Sequence, residues 1–354
     1  MPGVFDETAE RRKEGIVNLR MYRALPPFLG GKRKLVHLIF SALATAVPRS
    51  DWRSLRFIDP FLGGCSVSLF AKAQGFHVVC NDLALRSIAV GRALIVNGSV
   101  TFDPADLAAL LKKPPGPYGR TAEERYSPVV LPRRHAVLLD RALQNLKVFS
   151  EPKRSLAILL LIKWVLRIQP MSMLRGTDAR AAFEGDLDRV SPRRLGHYLR
   201  GERLLRPGAW LSLAEEVNGG VFSGEGEAHQ GDALTFLESK GGDVVYLDPP
   251  YPGTTSYERE YAVLDDLLEG QIRPVSSFSR SADLLPALFE ACRHIPVWLL
   301  SLNNACLSLE ELLDLVRRHR RNVRAVEVPY RHLGSIASEE KNAKNREFIV
   351  LATS

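Results

Sequence analysis

The sequence predicts an α/β fold in which a mostly parallel sheet is flanked by helices and interrupted by a mainly helical insertion. At both ends of the 354-residue chain, short apolar runs bounded by Gly, Pro, Asn and Asp alternate with longer helical stretches, as βα units do. Between residues 100 and 224 this alternation is absent. We therefore expect residues 1–99 and 225–354 to form one α/β domain that residues 100–224 divide.

Six apolar runs are the predicted strands. They are RFID (56–59), HVVCND (77–82), DVVYLD (243–248), VWLLS (297–301), RAVEVPY (324–330) and EFIVLA (347–352). Two stretches between them, KLVHLIFSALATAV from Lys34 and LEELLDLVRRH from Leu309, carry apolar residues three and four positions apart. This spacing predicts amphipathic helices that cover the sheet.

The middle of the chain has a different composition. It contains proline-rich breaks (KKPPGPYG, from Lys112), arginine clusters (LPRRH and SPRRLGHYLRGERLLRP) and a strongly apolar helical run over residues 156–166. These features predict an inserted helical segment, residues 100–224, with its own basic surface.

Charge and composition limit the class of protein. The chain has 48 Lys and Arg against 40 Asp and Glu, a formal charge of +8, which favours a polyanionic partner. The first twenty residues contain no apolar segment, and LAILLLIKWVL from Leu156 is too short to cross a bilayer. The cysteines, Cys65, Cys80, Cys292 and Cys306, lack metal-ligand spacing. We expect a soluble, cytoplasmic protein with reduced thiols and no metal site.

The first candidate site motif is RFIDPFLGGCSVSLF, residues 56–70. A strand is followed by an acid, a proline and two glycines, and then by an apolar helix. Glycines at this position let the backbone approach a ligand at the carboxyl end of a strand. The pattern is not GxGxxG, so an ordinary strand-to-helix turn is the alternative.

The second motif is VVCNDLAL, residues 78–85, in which Asp82 ends the next apolar run. An acid about 20 residues beyond a glycine loop can accept hydrogen bonds from ribose hydroxyls. The competing role for Asp82 is that of a helix N-cap.

The third motif is VVYLDPPYPG, residues 244–253. Asp248 follows a buried strand, and prolines have no amide hydrogen, so the backbone here is stiff and its carbonyls need not join a ladder. The carboxylate and a proline carbonyl supply two acceptors at one point, with the Tyr251 ring beside them. This arrangement suits a planar group that carries an amine.

The fourth motif is PPFLGGKRKLVHLIF, from Pro26. Gly30, Gly31 and Lys32 are predicted to open an amphipathic helix, so backbone amides and the lysine could meet an anionic group at the helix N-terminus. A flexible turn with a solvated lysine is the alternative.

In this order the motifs resemble the DNA adenine methylase family of N6-adenine DNA methyltransferases, in which a cofactor domain is interrupted by a DNA-reading insertion. PFLGGK (27–32) is similar to the family's GGK motif, and DPFLGG (59–64) to its cofactor loop. DPPY (248–251) matches the catalytic tetrad residue for residue. HQGDALTFL, from His229, resembles the family's GD element, and KNREFIVL (344–351) its closing strand.

The resemblance implies a Rossmann-like methyltransferase fold with a mostly parallel, seven-stranded sheet, and S-adenosylmethionine as the cofactor. It places Asp82 at the ribose hydroxyls and Asp232 near the cofactor adenine. The cofactor-binding residues that it implies are Phe28, Gly30, Gly31, Lys32, Asp59, Pro60, Phe61, Gly63, Gly64, Asp82 and Asp232.

The resemblance also implies the reaction, which is methyl transfer to the N6 amine of an adenine flipped out of DNA. The catalytic residues would be Asp248, Pro249, Pro250 and Tyr251. The Asp248 carboxylate and the Pro249 carbonyl would accept the two amine hydrogens, and Tyr251 would stack on the base.

The insertion would carry the DNA-binding residues. Its candidate arginines for phosphate and base contacts are Arg167, Arg175, Arg180, Arg193, Arg194 and Arg200. Tyr257 and Tyr261 would line the target pocket or cover the helix that follows. Residues 167–185 depart from the aromatic and Asn-rich pattern of the family, which leaves the recognised DNA sequence open.

The expected partner is double-stranded DNA, with no membrane and no metal, for a monomer or weak dimer associated with the nucleoid while acting. A restriction or defence-system partner is left open. The tetrad alone also permits N4-cytosine in DNA or adenine in RNA as the acceptor. A non-catalytic DNA-binding relative is the remaining alternative.

Overall fold

A computed structural model describes residues 20–127, 130–168, 201–250, 257–272, 276–305, 307–329 and 345–354. Its centre is a seven-stranded sheet. The strands are β1 (Arg56–Asp59), β2 (His77–Asp82), β3 (Gly226–Gln230), β4 (Val244–Leu247), β5 (Val297–Asn303), β6 (Asn322–Pro329) and β7 (Arg346–Thr353). All six predicted strands are present, within two residues at their starts and ends.

The strand missing from the prediction is β3. Its sequence, GEAHQ, is polar, and none of its residues is buried. It lies at one edge of the sheet and pairs with β2 alone. An edge strand with two partly exposed faces lacks the apolar run on which strand prediction depends.

The strands follow the order β3-β2-β1-β4-β5-β7-β6. All neighbouring pairs from β3 to β5 are parallel, and β7 is antiparallel to both β5 and β6. From β1 the chain proceeds to β2 and β3 on one side, and later to β4 and β5 on the other. This reversal between β1 and β4 opens a crevice at the carboxyl ends of the strands, where open α/β sheets bind ligands. The mostly parallel Rossmann-like sheet is therefore confirmed.

Helices lie on both sides of the sheet. They are α1 (Val36–Ala44), α2 (Ser66–Ala73), α3 (Leu85–Gly91), α4 (Pro104–Leu111), α5 (Arg133–Asn145), α6 (Lys153–Ile168), α7 (Pro207–Asn218), α8 (Ala233–Ser239), α9 (Tyr257–Glu260), α10 (Ala262–Glu269), α11 (Ser277–Arg280), α12 (Leu285–Ala291) and α13 (Leu309–Arg317). The starts of α4 and α13 are fixed by capping boxes, Asp103 with Asp106 and Ser308 with Glu311. No helix in these ranges is long and apolar enough to cross a membrane.

Within the described part of residues 100–224, all regular structure is helical. Nearly every side chain of α6 is buried, and its apolar residues belong to the same core cluster as those on one face of β1, β2 and β4. The apolar helix predicted over residues 156–166 is thus present and packs against the α/β part. The limits of the insertion remain a prediction, and residues 169–200 lie outside the described ranges.

Lys163 joins α6 to the segment that leads into the GGK motif. Its side chain is buried, and its ammonium donates to the carbonyls of Arg23 and Leu25, the latter at 3.3 Å. The Glu216 carboxylate lies 3.3 Å away. Burial lowers the pKa of Lys163 to about 8. The lysine therefore fixes the chain a few residues before Phe28.

We expect Lys163→Met to lower the free energy of unfolding by roughly 2–4 kcal/mol, because two backbone carbonyls and a carboxylate lose a charged donor. Urea unfolding measures this change. Lys147→Met removes an exposed lysine and should change stability by less than about 0.5 kcal/mol. Equal effects of the two substitutions would show that Lys163 is not an anchor.

Candidate active site

A cavity of about 470 Å³ opens at the carboxyl ends of β1, β2 and β4, at the crevice where the strand order reverses. Every residue predicted to bind the cofactor lines it, from Phe28 to Asp232. Asp248, Pro249 and Pro250 line the same cavity. Tyr251 lies outside the described residues. Sequence segments that are far apart in the chain therefore meet at one site.

The glycine loop after β1 is held by the two acids predicted at the site. Asp59 is buried; its Oδ1 accepts a hydrogen bond from the Phe61 amide (3.1 Å) and its Oδ2 one from the Ser68 hydroxyl (2.6 Å). The Gly63 amide donates to Asp82 Oδ2 at 2.9 Å. Gly63 and Cys65 adopt positive φ angles of 50° and 66°. Asp59 thus fixes the start of the loop through the Phe61 amide, and Asp82, at the end of β2, fixes its glycines through the Gly63 amide.

Asp82 is not a helix N-cap. Its Oδ1 accepts from the Ala84 amide at 2.9 Å, within the loop that precedes α3. The N-cap position of α3 is Ala84, which provides no side-chain cap. Asp82 is partly exposed and faces the cavity, so its carboxylate keeps room for further donors.

Asp232 has a capping role that the sequence did not predict, and its role near the cofactor adenine stays a prediction. It is the N-cap of α8, and its Oδ1 accepts from the amides of Leu234 and Thr235 at 3.0 and 3.1 Å. Asn81, at the end of β2, donates to the Gly231 carbonyl at 3.0 Å. These bonds fix the GD element beside the end of β2.

The GGK segment does not open a helix directly, because α1 begins at Val36. Lys32 is buried, and its ammonium contacts the Asp248 carboxylate at 2.9 Å and the Gly30 carbonyl at 3.1 Å. Glu347, on β7, lies 3.4 Å from the same nitrogen. The predicted cofactor role of Lys32 stays a prediction, and the structure adds a direct contact with the tetrad aspartate.

Asp248 follows the last residue of β4, and its side chain keeps 18% of its exposure. Pro249 is buried and Pro250 is partly exposed. The carboxylate is therefore fixed by Lys32 on one side and open to the cavity on the other. Such a group can accept a hydrogen bond from a ligand amine.

Arg86 and Tyr261 also line the cavity, and of the two only Tyr261 was named from the sequence. Arg86, on α3, forms a buried ion pair with Asp265 on α10. Its guanidinium lies 4.9 Å from the Tyr261 ring centroid, and the Tyr261 hydroxyl accepts from the Leu29 amide at 2.7 Å. The signal in the sequence was weak, since LDDLL reads as an ordinary amphipathic helix. Tyr261 lines the cavity and also fixes the GGK segment.

The predicted DNA-binding residues are only partly described. Arg167, at the end of α6, pairs with Glu216 at 2.5 Å. Arg175, Arg180, Arg193, Arg194 and Arg200 lie outside the described residues, and so does the side chain of Tyr257. Among the residues that are described, no group of three or more His, Cys, Asp or Glu side chains could hold a metal ion.

The Asp59 carboxyl has a raised pKa, about 7, because it is buried and lies near the negative charges of Asp248 and Asp82; hydrogen bonds from Ser68 and Phe61 partly offset this rise. Between pH about 4 and about 7, the folded protein therefore keeps a proton that the unfolded chain has released. The contribution of Asp59 to the free energy of unfolding therefore falls as the pH rises through that window, and it is constant at higher pH.

Asp59→Asn keeps an acceptor for the Phe61 amide and cannot ionise. We expect its free energy of unfolding, relative to wild type, to rise by about 2–4 kcal/mol between pH 4 and pH 7. Urea titrations across that range measure the difference. Asp314→Asn, at an exposed position, should show no such trend. A pH-independent difference for Asp59→Asn would contradict the raised pKa.

Comparison with known proteins agrees with this site. Residues 28–127, which contain the GGK segment, the glycine loop and Asp82, match the model of the D12 class N6 adenine-specific DNA methyltransferase family. The Type II methyltransferase M2.HphI of Haemophilus parahaemolyticus is 29% identical over 339 residues, which span 92% of this chain and 96% of that protein. Over residues 28–127 the chain is thus similar to the D12 class of N6 adenine-specific DNA methyltransferases, and over most of its length it is similar to a Type II methyltransferase.

Proposed function

We propose that the cavity binds S-adenosylmethionine and that Asp248 presents the N6 amine of a flipped-out adenine to it, so that the chain methylates adenine at a specific DNA sequence. One observation carries this proposal. The open face of the Asp248 carboxylate lies in the same cavity as the glycine loop and Asp82. A donor and an acceptor bound there would be adjacent.

The residues present fit the cofactor. Asp82 offers acceptors to ribose hydroxyls beside the glycine loop that it holds. Phe61, Phe278 and Leu234 supply apolar wall for an adenine ring, next to the polar Asp232. We assign the backbone of Gly30 and Gly31 to the amino acid end of the cofactor. When bound, the cofactor supplies an electrophilic methyl group on a sulfonium.

The role of the protein is to place and polarise the amine. The lone pair of an adenine N6 is delocalised into the ring, which makes the nitrogen a poor nucleophile. Hydrogen bonds from the amine to Asp248 and to the Pro249 carbonyl would draw the nitrogen toward sp³ geometry and aim its lone pair at the methyl. Placement and fixed electrostatics supply most of the rate enhancement in such a site.

The DNA must present its base outside the stack, which costs a few kcal/mol. Stacking of the flipped base on Tyr251 would offset this cost by on the order of 1–3 kcal/mol. We assign the phosphate contacts to the arginines of residues 167–200, in keeping with the formal charge of +8.

A restriction partner is part of the proposal, because the relative from Haemophilus parahaemolyticus carries the name of a Type II methyltransferase. Such a methyltransferase would protect host DNA at the sites that a partner nuclease cuts. We propose that the protein acts on chromosomal DNA as a monomer or weak dimer.

The product identifies the acceptor. Duplex DNA of mixed sequence, incubated with the protein and labelled S-adenosylmethionine, is digested to nucleosides and separated. We expect the label in N6-methyl-2′-deoxyadenosine. Labelled N4-methylcytosine, or transfer to RNA in preference to DNA, would refute the assignment of DNA adenine, and absence of transfer to any duplex would refute the activity.

Substitutions at the two acids separate their roles. Asp248→Ala should lower methyl transfer by at least about 10²-fold while the cofactor dissociation constant stays within a few-fold of wild type, because Asp248 is assigned to the amine. Asp82→Ala should raise that constant roughly tenfold to a hundredfold, since hydrogen bonds to a charged group contribute about 1.5–3 kcal/mol.

Calorimetric titration with the cofactor and a single-turnover transfer assay measure the two effects. Each variant is the control for the other, because both remove one cavity-lining carboxylate. Equal loss of cofactor binding in both variants would contradict the assignment.

A further inference from the structure

Glu347 is a buried acid that the proposed chemistry does not yet use. It lies near the start of β7, between Arg346 and a run of apolar residues, and its side chain has 0% exposure. An ionised carboxylate in such a place is costly unless it is paired and hydrogen-bonded. We therefore expect a cationic group that pairs with the Glu347 carboxylate.

The partner is Lys32. The Lys32 ammonium lies 3.4 Å from Glu347 Oε1, and the Ser301 hydroxyl donates to the same oxygen at 2.7 Å. The ammonium also donates to Asp248 Oδ1 at 2.9 Å and to the Gly30 carbonyl at 3.1 Å. The ammonium thus donates hydrogen bonds to Asp248 and Gly30 and forms an ion pair with Glu347. The nitrogen is thereby fixed between two carboxylates.

The charges at the site follow from this arrangement. With both carboxylates ionised, the two acids and the ammonium carry a net charge of −1, whereas Lys32 and Asp248 alone would be neutral. In the proposed reaction, the amine nitrogen gains positive charge as the methyl arrives. A net negative group of fixed geometry stabilises that charge more than a neutral ion pair does, and more strongly in a partly buried site than in water.

We propose that Glu347 is a positioning residue for methyl transfer. It shares the Lys32 ammonium with Asp248, so that Asp248 is held in place and still acts as a negative acceptor for the substrate amine. This inference rests on the proposed function, because it takes Asp248 as the group that holds the amine. Glu347 itself does not contact the reacting atoms.

Glu347→Gln tests the proposal, since it removes the charge and keeps the shape. Under single-turnover conditions with saturating cofactor and DNA, we expect the transfer rate to fall roughly tenfold to a hundredfold, as for other residues that orient a reacting group from behind it. The cofactor dissociation constant should remain within about threefold of wild type. Loss of packing alone would not separate rate from binding in this way.

Glu327→Gln is the matched control. Glu327 lies on the neighbouring strand β6, is exposed and pairs with Arg346 at 3.2 Å, so it too is a strand glutamate with a cationic partner. Its variant should transfer methyl groups at the wild-type rate. If Glu347→Gln also retains the wild-type rate, the proposal is wrong.

A double-mutant cycle shows whether Glu347 acts through Lys32. Residues that act through one contact give non-additive effects. In a Lys32→Met background, Glu347→Gln should therefore change the saturated transfer rate by less than about threefold. If the two effects multiply in full, Glu347 acts independently of Lys32 and the proposal is overturned.

Two further outcomes are distinct. If the wild-type protein transfers no methyl group to DNA, the proposed function fails before Glu347 is tested. If Glu347→Gln does not fold, Glu347→Asp replaces it, because the charge is kept while the carboxylate is withdrawn by one methylene group. A rate for Glu347→Asp within twofold of wild type would then count against the proposal.

Discussion

The ion pair between Lys32 and Asp248 is the contact on which the rest of the site depends. It joins residues 216 positions apart at the carboxyl edge of the sheet, and it brings the GGK segment against the DPPY tetrad. Coulomb attraction between charges 2.9 Å apart is strong only where water is limited, and here Lys32 is buried while Asp248 keeps part of its exposure. The Asp248 carboxylate can then be held by Lys32 and still accept a hydrogen bond from a ligand.

Carboxylates shape the remainder of the cavity by holding backbone amides. Asp59 and Asp82 each accept from the glycine loop, and Asp232 caps α8 beside the end of β2. Each acid therefore organises backbone and also faces the proposed cofactor. This double use explains why removal of one carboxylate should affect loop geometry as well as ligand contacts, and why transfer and binding must be measured separately.

Much of this arrangement could be predicted from the sequence, because the decisive motifs are local. A strand followed by DPFLGG or DPPY fixes which edge of the sheet the residues reach, whatever the rest of the chain does. The contacts of Lys32 could not be predicted, since its partners Asp248 and Glu347 follow more than 200 residues later. Glu347 could not be recognised for a further reason: in NREFIVL it reads as the polar start of a strand, and its burial depends on the position of β7 between β5 and β6.

The central claim is that Asp248 and the Pro249 carbonyl hold the N6 amine of a flipped adenine while Lys32 remains between Asp248 and Glu347. The most direct test is a crystal structure of the protein with a non-reactive cofactor analogue and an unmodified DNA duplex that contains the sequence the protein methylates. We expect N6 to lie within hydrogen-bond distance, about 2.7–3.2 Å, of both acceptors, with the Lys32 contacts unchanged. An adenine bound with its amine directed away from Asp248, or a Lys32 ammonium displaced from Glu347 toward the cofactor, would contradict it.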